Sequence, residues 1–198
     1  MGSVQGVQGV QAVAAAGGVV VLVTLLIVIS HNRFVEQRQA IGNAWSNVDT
    51  ELRRRYDLIP NVVRTVQAYA THEREVFEAV VQARQEAVDS VGEVAAQAGT
   101  EDTLVRSLKS LLALSESYPD LKADAHFLEL QQELAMTEDR IQAARRIFNA
   151  DVRELNQRVQ SIPSNVIARL FGFHRSDYFE LDAVIRDAGP PSVAPGQA

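Results

Sequence analysis

The chain has 198 residues, 46% hydrophobic and only 6% aromatic, with a formal net charge of −6 at pH 7. That length fits one domain plus appendages, and the acidic balance leaves no domain-wide positive field for a general nucleic-acid binder. Cysteine is absent, which excludes disulfides, thiol catalysis and thiolate metal sites.

Residues 1–11 form a lead with Val at 4, 7 and 10 in a triplet repeat that runs on to Val13; it can extend the following helix or remain a polar segment. Residues 12–29, AVAAAGGVVVLVTLLIVI, are 18 residues without a charge. A helix of that length spans about 27 Å, close to the hydrocarbon thickness of a bilayer. A cleaved signal peptide would need a basic n-region and a small-residue cleavage site; no Lys or Arg precedes Arg33. The segment is predicted to be a retained transmembrane helix. Arg33 and Arg38 follow it, so the positive-inside rule puts the amino terminus outside and the larger C-terminal part in the cytoplasm; the plasma (inner) membrane is the expected location. Ala12 with Ala16, and Ala14 with Gly18, would let two such helices approach closely.

From residue 33 on the period is helical, with no convincing strand. Phe34, Ile41, Trp45, Val48, Leu52 and Ile59 make one apolar stripe. Val62, Val66, Tyr69, Val76, Val80, Ala83 and Ala87 make a second, broken at Glu73. Leu104, Leu108, Leu111 and Tyr118 make a third. The fourth runs from Phe127 to Ile162 through Leu130, Leu134, Ile141, Phe148, Val152 and Leu155. The predicted fold is all-α: the transmembrane helix continues into an antiparallel long-helix bundle at 30–162, followed by short amphipathic helices at 163–187 and a disordered tail at 188–198. A fourth helix of about 37 residues would be about 55 Å long against about 22 Å for the third, so part of it must pack on the first two alone or project. Trp45, Tyr69 and Phe148 are expected in the core.

Punctuation sets the expected breaks. Arg53, Arg54 and Arg55 would close the first helix, where cations favour the dipole; Asp57 would cap the second, with Pro60 in its first turn. Asp120 or Asp124 would cap the fourth. Upright, the first helix would carry Arg55 about 40 Å beyond the bilayer edge, far outside a screening length of about 8 Å. Arg55 sits at the edge of a buried stripe and needs an acid, for which Glu73 and Glu138 are candidates. The exposed alternative is an interaction tip made of Arg53, Arg54, Arg55, Asp57, Pro60 and Asn61.

Catalytic and cofactor chemistry finds no foothold. His72 and Glu73 lack the second histidine of a zinc-protease helix, the four histidines lack ligand spacing, and no phosphate loop or nucleophile elbow occurs. Neither a metal nor a cofactor is expected, and Glu129, Glu133 and Glu138 read as a solvated face. The segment with Val166, Ile167, Leu170, Phe171 and Phe173 beside Arg169, His174 and Arg175 has two readings. It suits a membrane surface, as an apolar face edged with cations, or it caps the open end of the bundle.

Several blocks carry a family resemblance: AWSNVDTELRRRYDLIPNVVRTVQAYATHEREVFEAVVQAR, YPDLKADAHFLELQQEL and RIQAARRIFNADVRELNQRVQSIPSNVIARLFGF. In order, over about residues 20–180, the chain resembles the LemA family. The resemblance implies a single-pass membrane protein with its amino terminus outside and a cytoplasmic helical bundle. It also implies a turn block of Arg54, Arg55, Asp57, Pro60 and Asn61, a C-terminal block of Phe171, Gly172 and Phe173, and no established enzymatic activity. The expected function is that of a membrane-anchored, non-enzymatic scaffold or adaptor that associates with itself, with the bilayer and with an unidentified protein partner, and not with nucleic acid. A lipid-interacting or membrane-shaping assembly protein is the alternative, and an accessory factor to a membrane protease or secretion system is a third reading.

Overall fold

The computed structural model describes residues 2–180 except Val91 and Glu93, with the side chains of residues 2–15 left out of the description. The expected tail at 188–198, the end of the C-terminal segment at 181–187 and the small-residue pairs involving Ala12 and Ala14 therefore lie outside the described residues. What is described is all-α: α1 (Gly2–Tyr69), α2 (Arg74–Asp89), α3 (Val94–Ala113), α4 (Pro119–Lys122), α5 (Ala125–Gln160) and α6 (Ser164–Phe171), with a 3-10 turn at Leu114–Glu116. No strand occurs among the described residues.

α1 begins at Gly2, so the triplet repeat extends the helix. Between Val19 and Ile29, nine large apolar side chains each leave 47–64% of their surface uncovered. A core helix of a soluble protein would hide them; this one is long and apolar enough to cross a membrane.

The expected break after Arg55 is absent, because α1 runs through Pro60 to Tyr69. A proline inside a helix removes the amide that would bond the carbonyl four residues earlier, here that of Tyr56. Arg84 of α2 donates to that carbonyl through Nε at 2.8 Å, so the orphaned acceptor is satisfied by a side chain. Arg53, Arg54, Asp57 and Pro60 are consequently exposed positions in mid-helix, Asn61 is half-buried, and none lies at a tip. Tyr69, expected in the core, lies exposed at the end of α1 and donates to Asp124 Oδ2 at 3.0 Å.

Asp124 caps α5: its Oδ1 accepts from the Phe127 amide at 2.7 Å. That bond, and then the one from Tyr69, holds the Asp124 carboxyl below its usual range. A depressed folded value contributes stability that is present above the unfolded pKa of about 3.9 and lost as pH falls through the folded value. Asp124→Asn is therefore expected to lower the melting temperature at pH 6, with the deficit closing below about pH 4. Melting followed by circular dichroism across that range checks it; a deficit that persists undiminished in acid would refute the cap's role.

The described residues divide into two compact units, one of those up to Asn43 with Ala150–Ser176, the other of those within Ala44–Asn149 with Asp177–Glu180. In the second, α1 and α5 run antiparallel, since Trp45 packs on Phe148 with ring centroids 5.2 Å apart while Tyr69 meets Asp124. Leu52, Ile59, Val80, Leu104, Leu111 and Ile141 are fully buried there. In the first, the end of α5 and α6 pack against α1 around Phe34, Leu155, Ile167, Ala168 and Phe173, with Ile41 and Val159 at the edge. This accounts for the excess length of α5, 36 residues against 20 in α3.

Candidate functional site

In the second unit the stripe positions of α1, α3 and α5 converge on Arg55, which is 2% exposed. Its Nη1 donates to Glu138 Oε2 at 2.8 Å, and its Nη2 pairs with Glu101 Oε2. Glu73 takes no part; its Oε1 accepts from the Tyr118 hydroxyl at 3.2 Å. Glu101, which the sequence reading missed, is completely buried. Its other oxygen accepts from the Tyr56 hydroxyl, which in turn accepts from Gln97 Nε2 at 2.9 Å. Burial, and next the charge of Glu101, drives the Tyr56 phenol far above its ordinary pKa. The proton therefore stays on the phenol to donate, and Arg55 is divided between two carboxylates. The node sets one guanidinium against two carboxylates, and Arg55 Nε and Gln97 Oε1 find no hydrogen-bond partner among the described residues.

Beside it an open groove of about 610 Å³ runs between α3 and α5, with Leu108, Lys109, Leu134 and Glu138 among its walls. Among the described residues no group of three or more His, Asp or Glu is placed to hold a metal ion.

In the first unit α6 is two-sided. Ile167 and Phe173 are at most 9% exposed, whereas Val166 and Leu170 are 65% and 70% exposed and Ile162 85%. Ile167 and Phe173 close a core, while Val166 and Leu170 face outward. The His31 ring stands 4.8 Å from that of Phe171, which sets α6 beside the turn of α1 just past the apolar stretch. Arg169, His174 and Arg175 line a groove on α6 with Phe173.

The LemA family model matches residues 44–194. The chain belongs to the LemA family. It is 25% identical over 198 residues to magnetosome protein MamQ of Magnetospirillum gryphiswaldense, covering 87% of this chain and 72% of that protein. It is 24% identical over 160 residues to protein LemA of Metamycoplasma hominis, covering 78% and 71%.

The two LemA blocks acquire physical content from the fold. The first holds Arg55, locked in the node, and Pro60, tolerated because Arg84 reaches the Tyr56 carbonyl. The second depends on Gly172, whose φ of 71° ends α6 in the left-handed region, where a side chain is strained. Beyond it the Phe173 amide bonds the Ala168 carbonyl at 2.9 Å, and Phe173 turns inward to stack on Phe34 at 4.7 Å. Among the described residues no further helix follows between Phe173 and Glu180. Ser176 is instead gripped from both sides by Asn156, at 2.9 Å for each bond. In the other unit Asn149 grips Phe179 in the same way, at 3.0 and 2.9 Å. An asparagine amide offers the donor and acceptor of a neighbouring strand, so extended chain is stable against a helix.

Proposed function

We propose that this LemA-family protein is a non-enzymatic, membrane-anchored helical scaffold that associates with itself and with a protein partner at the cytoplasmic face of the cell membrane. The observation that carries this reading is the continuity of α1. One helix passes without a break from a lipid-suited apolar surface into a bundle whose buried charges are spent on each other. Nothing about the node offers a reactive group to a substrate, and the names of the relatives state no reaction.

Orientation is supported by charge. Residues 16–43 and 150–176 hold six arginines (33, 38, 153, 158, 169 and 175) against three carboxylates (Glu36, Asp151 and Glu154), a local excess of three positive charges in a chain of net −6. Cationic segments next to a span favour the cytoplasmic side. Self-association is supported by the outer side of α5, where Met136, Arg140, Ala143 and Ile147 fall at steps of four, three and four, the spacing of a helix–helix seam. Met136 is 45% and Ile147 58% exposed.

Light scattering on the full chain in mild detergent tests it. A defined multiple of the 21.7 kDa chain mass is expected, falling to the monomer in Ile147→Glu with an unchanged melting temperature. A monomer at every concentration would sink self-association. A second reading, a lipid-interacting assembly protein, is favoured by the exposed apolar side chains of α6.

A further inference from the structure

The first unit holds a groove of about 540 Å³ bounded by α1, the end of α5 and the start of α6. Leu26, Ile29 and Arg33 line it on one side, and Arg158, Ser161 and Ile167 on the other. Its chemistry changes along α1. Leu26 and Ile29, each more than half exposed, continue the apolar surface of the span. Arg33 follows Ile29 by one turn, is exposed, and makes no ion pair among the described residues. Arg158 stands opposite, its side chain 23% exposed, with one long pairing at 3.4 Å to Glu154, which is 63% exposed and also lines the groove. At that length, and with the acid free to turn to water, the pair is weak, and an anionic head can displace Glu154 from Arg158. The free apolar residues Val166 and Leu170 belong to the helix that begins at this groove.

Apolar walls that give way, within one turn, to two guanidiniums match an amphiphile with an anionic head. We infer that the groove binds an anionic phospholipid, its phosphate held by Arg33 and Arg158 and its acyl chains lying along Leu26 and Ile29. The inference rests on the membrane-anchored reading, because only an inserted α1 brings the groove to lipid. A lipid is favoured over a soluble phosphate by the continuity of the groove with the span, and an anionic one by the local excess of arginine. Guanidinium suits phosphate through paired, charge-assisted donors.

The test is native mass spectrometry of the full chain in nonionic detergent micelles doped with phosphatidylglycerol or phosphatidylcholine. Each arginine near an anionic surface accounts for roughly fivefold in affinity, so the chain is expected to retain one phosphatidylglycerol at a lipid fraction roughly 25-fold below that needed for phosphatidylcholine. Arg33→Gln with Arg158→Gln should abolish that preference. Should the double variant melt early in lipid-free detergent, Arg33→Gln alone, at an exposed position, should still cost roughly fivefold. Equal retention of both lipids by the parent chain, or an undiminished preference in the variants, overturns the site. Displacement of the lipid by an equal concentration of inorganic phosphate overturns the lipid assignment. Carbonate extraction of membranes holding the full chain separates the two layers of inference. Release into the soluble fraction overturns the anchor and this site together, whereas a chain that stays in the membrane without lipid preference overturns the groove alone.

Discussion

Arg55→Ala is expected to destabilise the chain by about 3–5 kcal/mol, the usual cost of removing one partner from a buried ion pair, and to lower the melting temperature by roughly 6–20 °C. The size follows from what is left behind. Glu101 has no exposed surface, so its carboxylate would keep only the hydrogen bonds from Tyr56 and Gln97. Glu138, whose side chain is 37% exposed, can turn to water and adds little. Arg55→Lys should recover little of the loss, because a single ammonium cannot hold two carboxylates in the geometry of a fork.

The same physics gives the node a sharper test. Arg55→Met combined with Glu101→Leu removes both charges at once. Tyr56 and Gln97 keep each other at 2.9 Å and the Ala87 carbonyl at 3.5 and 3.2 Å. Most of the lost stability should return, as it does when a buried pair is replaced by apolar side chains. Thermal melts of the parent, the single variants and the double variant decide the matter. If Arg55→Ala melts with the parent yet changes the assembly mass, Arg55 serves an interface, and the structural role assigned to it fails.

Helical periodicity was legible in the sequence because the stripes repeat over many turns, but the second predicted helix, Asp57 through Ala87, is divided: its first part continues α1 to Tyr69 and its second forms α2 from Arg74. Most of the misreadings arise where long-range partners override local signals. Pro60 with Asp57 looks like a helix boundary until Arg84, 28 residues from Tyr56, is seen to satisfy its carbonyl. α3 starts at Val94, well before the run of leucines, because its first turns bury Gln97 and Glu101. A signal for these residues existed. Counting back from Leu111, Leu108 and Leu104 in steps of three and four lands on Glu101 and then Gln97, which puts a carboxylate on a core stripe and calls for a cation. Arg55 was recognised as needing an acid, but not this one. Asn149 and Asn156 escaped notice for a different reason. They are spaced by seven on α5, yet their partners are backbone groups, which leave no side-chain pattern to read.

The other large effect is expected at Phe173. Its ring is 7% exposed, stacks on Phe34, stands 5.5 Å from His31 and lies under the Arg38 guanidinium at 6.0 Å. Truncating a buried phenylalanine costs about 3–5 kcal/mol, and here the loss falls on an element with few other holds. α6 has eight residues, too short to persist alone, so Ile167, Ala168 and Phe173 must keep it in place. Phe173→Ala is therefore expected to speed amide exchange over residues 164–176 by a factor of roughly 100 or more, while amides of α3 keep their protection. Leu170→Ala, at a position 70% exposed, should leave exchange in lipid-free detergent within about 0.5 kcal/mol of the parent. Hydrogen exchange of the full chain, resolved by peptide, measures both. Retained protection in Phe173→Ala would mean that α6 is held by something other than its aromatic stack. Rapid exchange in Leu170→Ala would mean that its outward face already packs against another part of the assembly, and is not free to meet a bilayer.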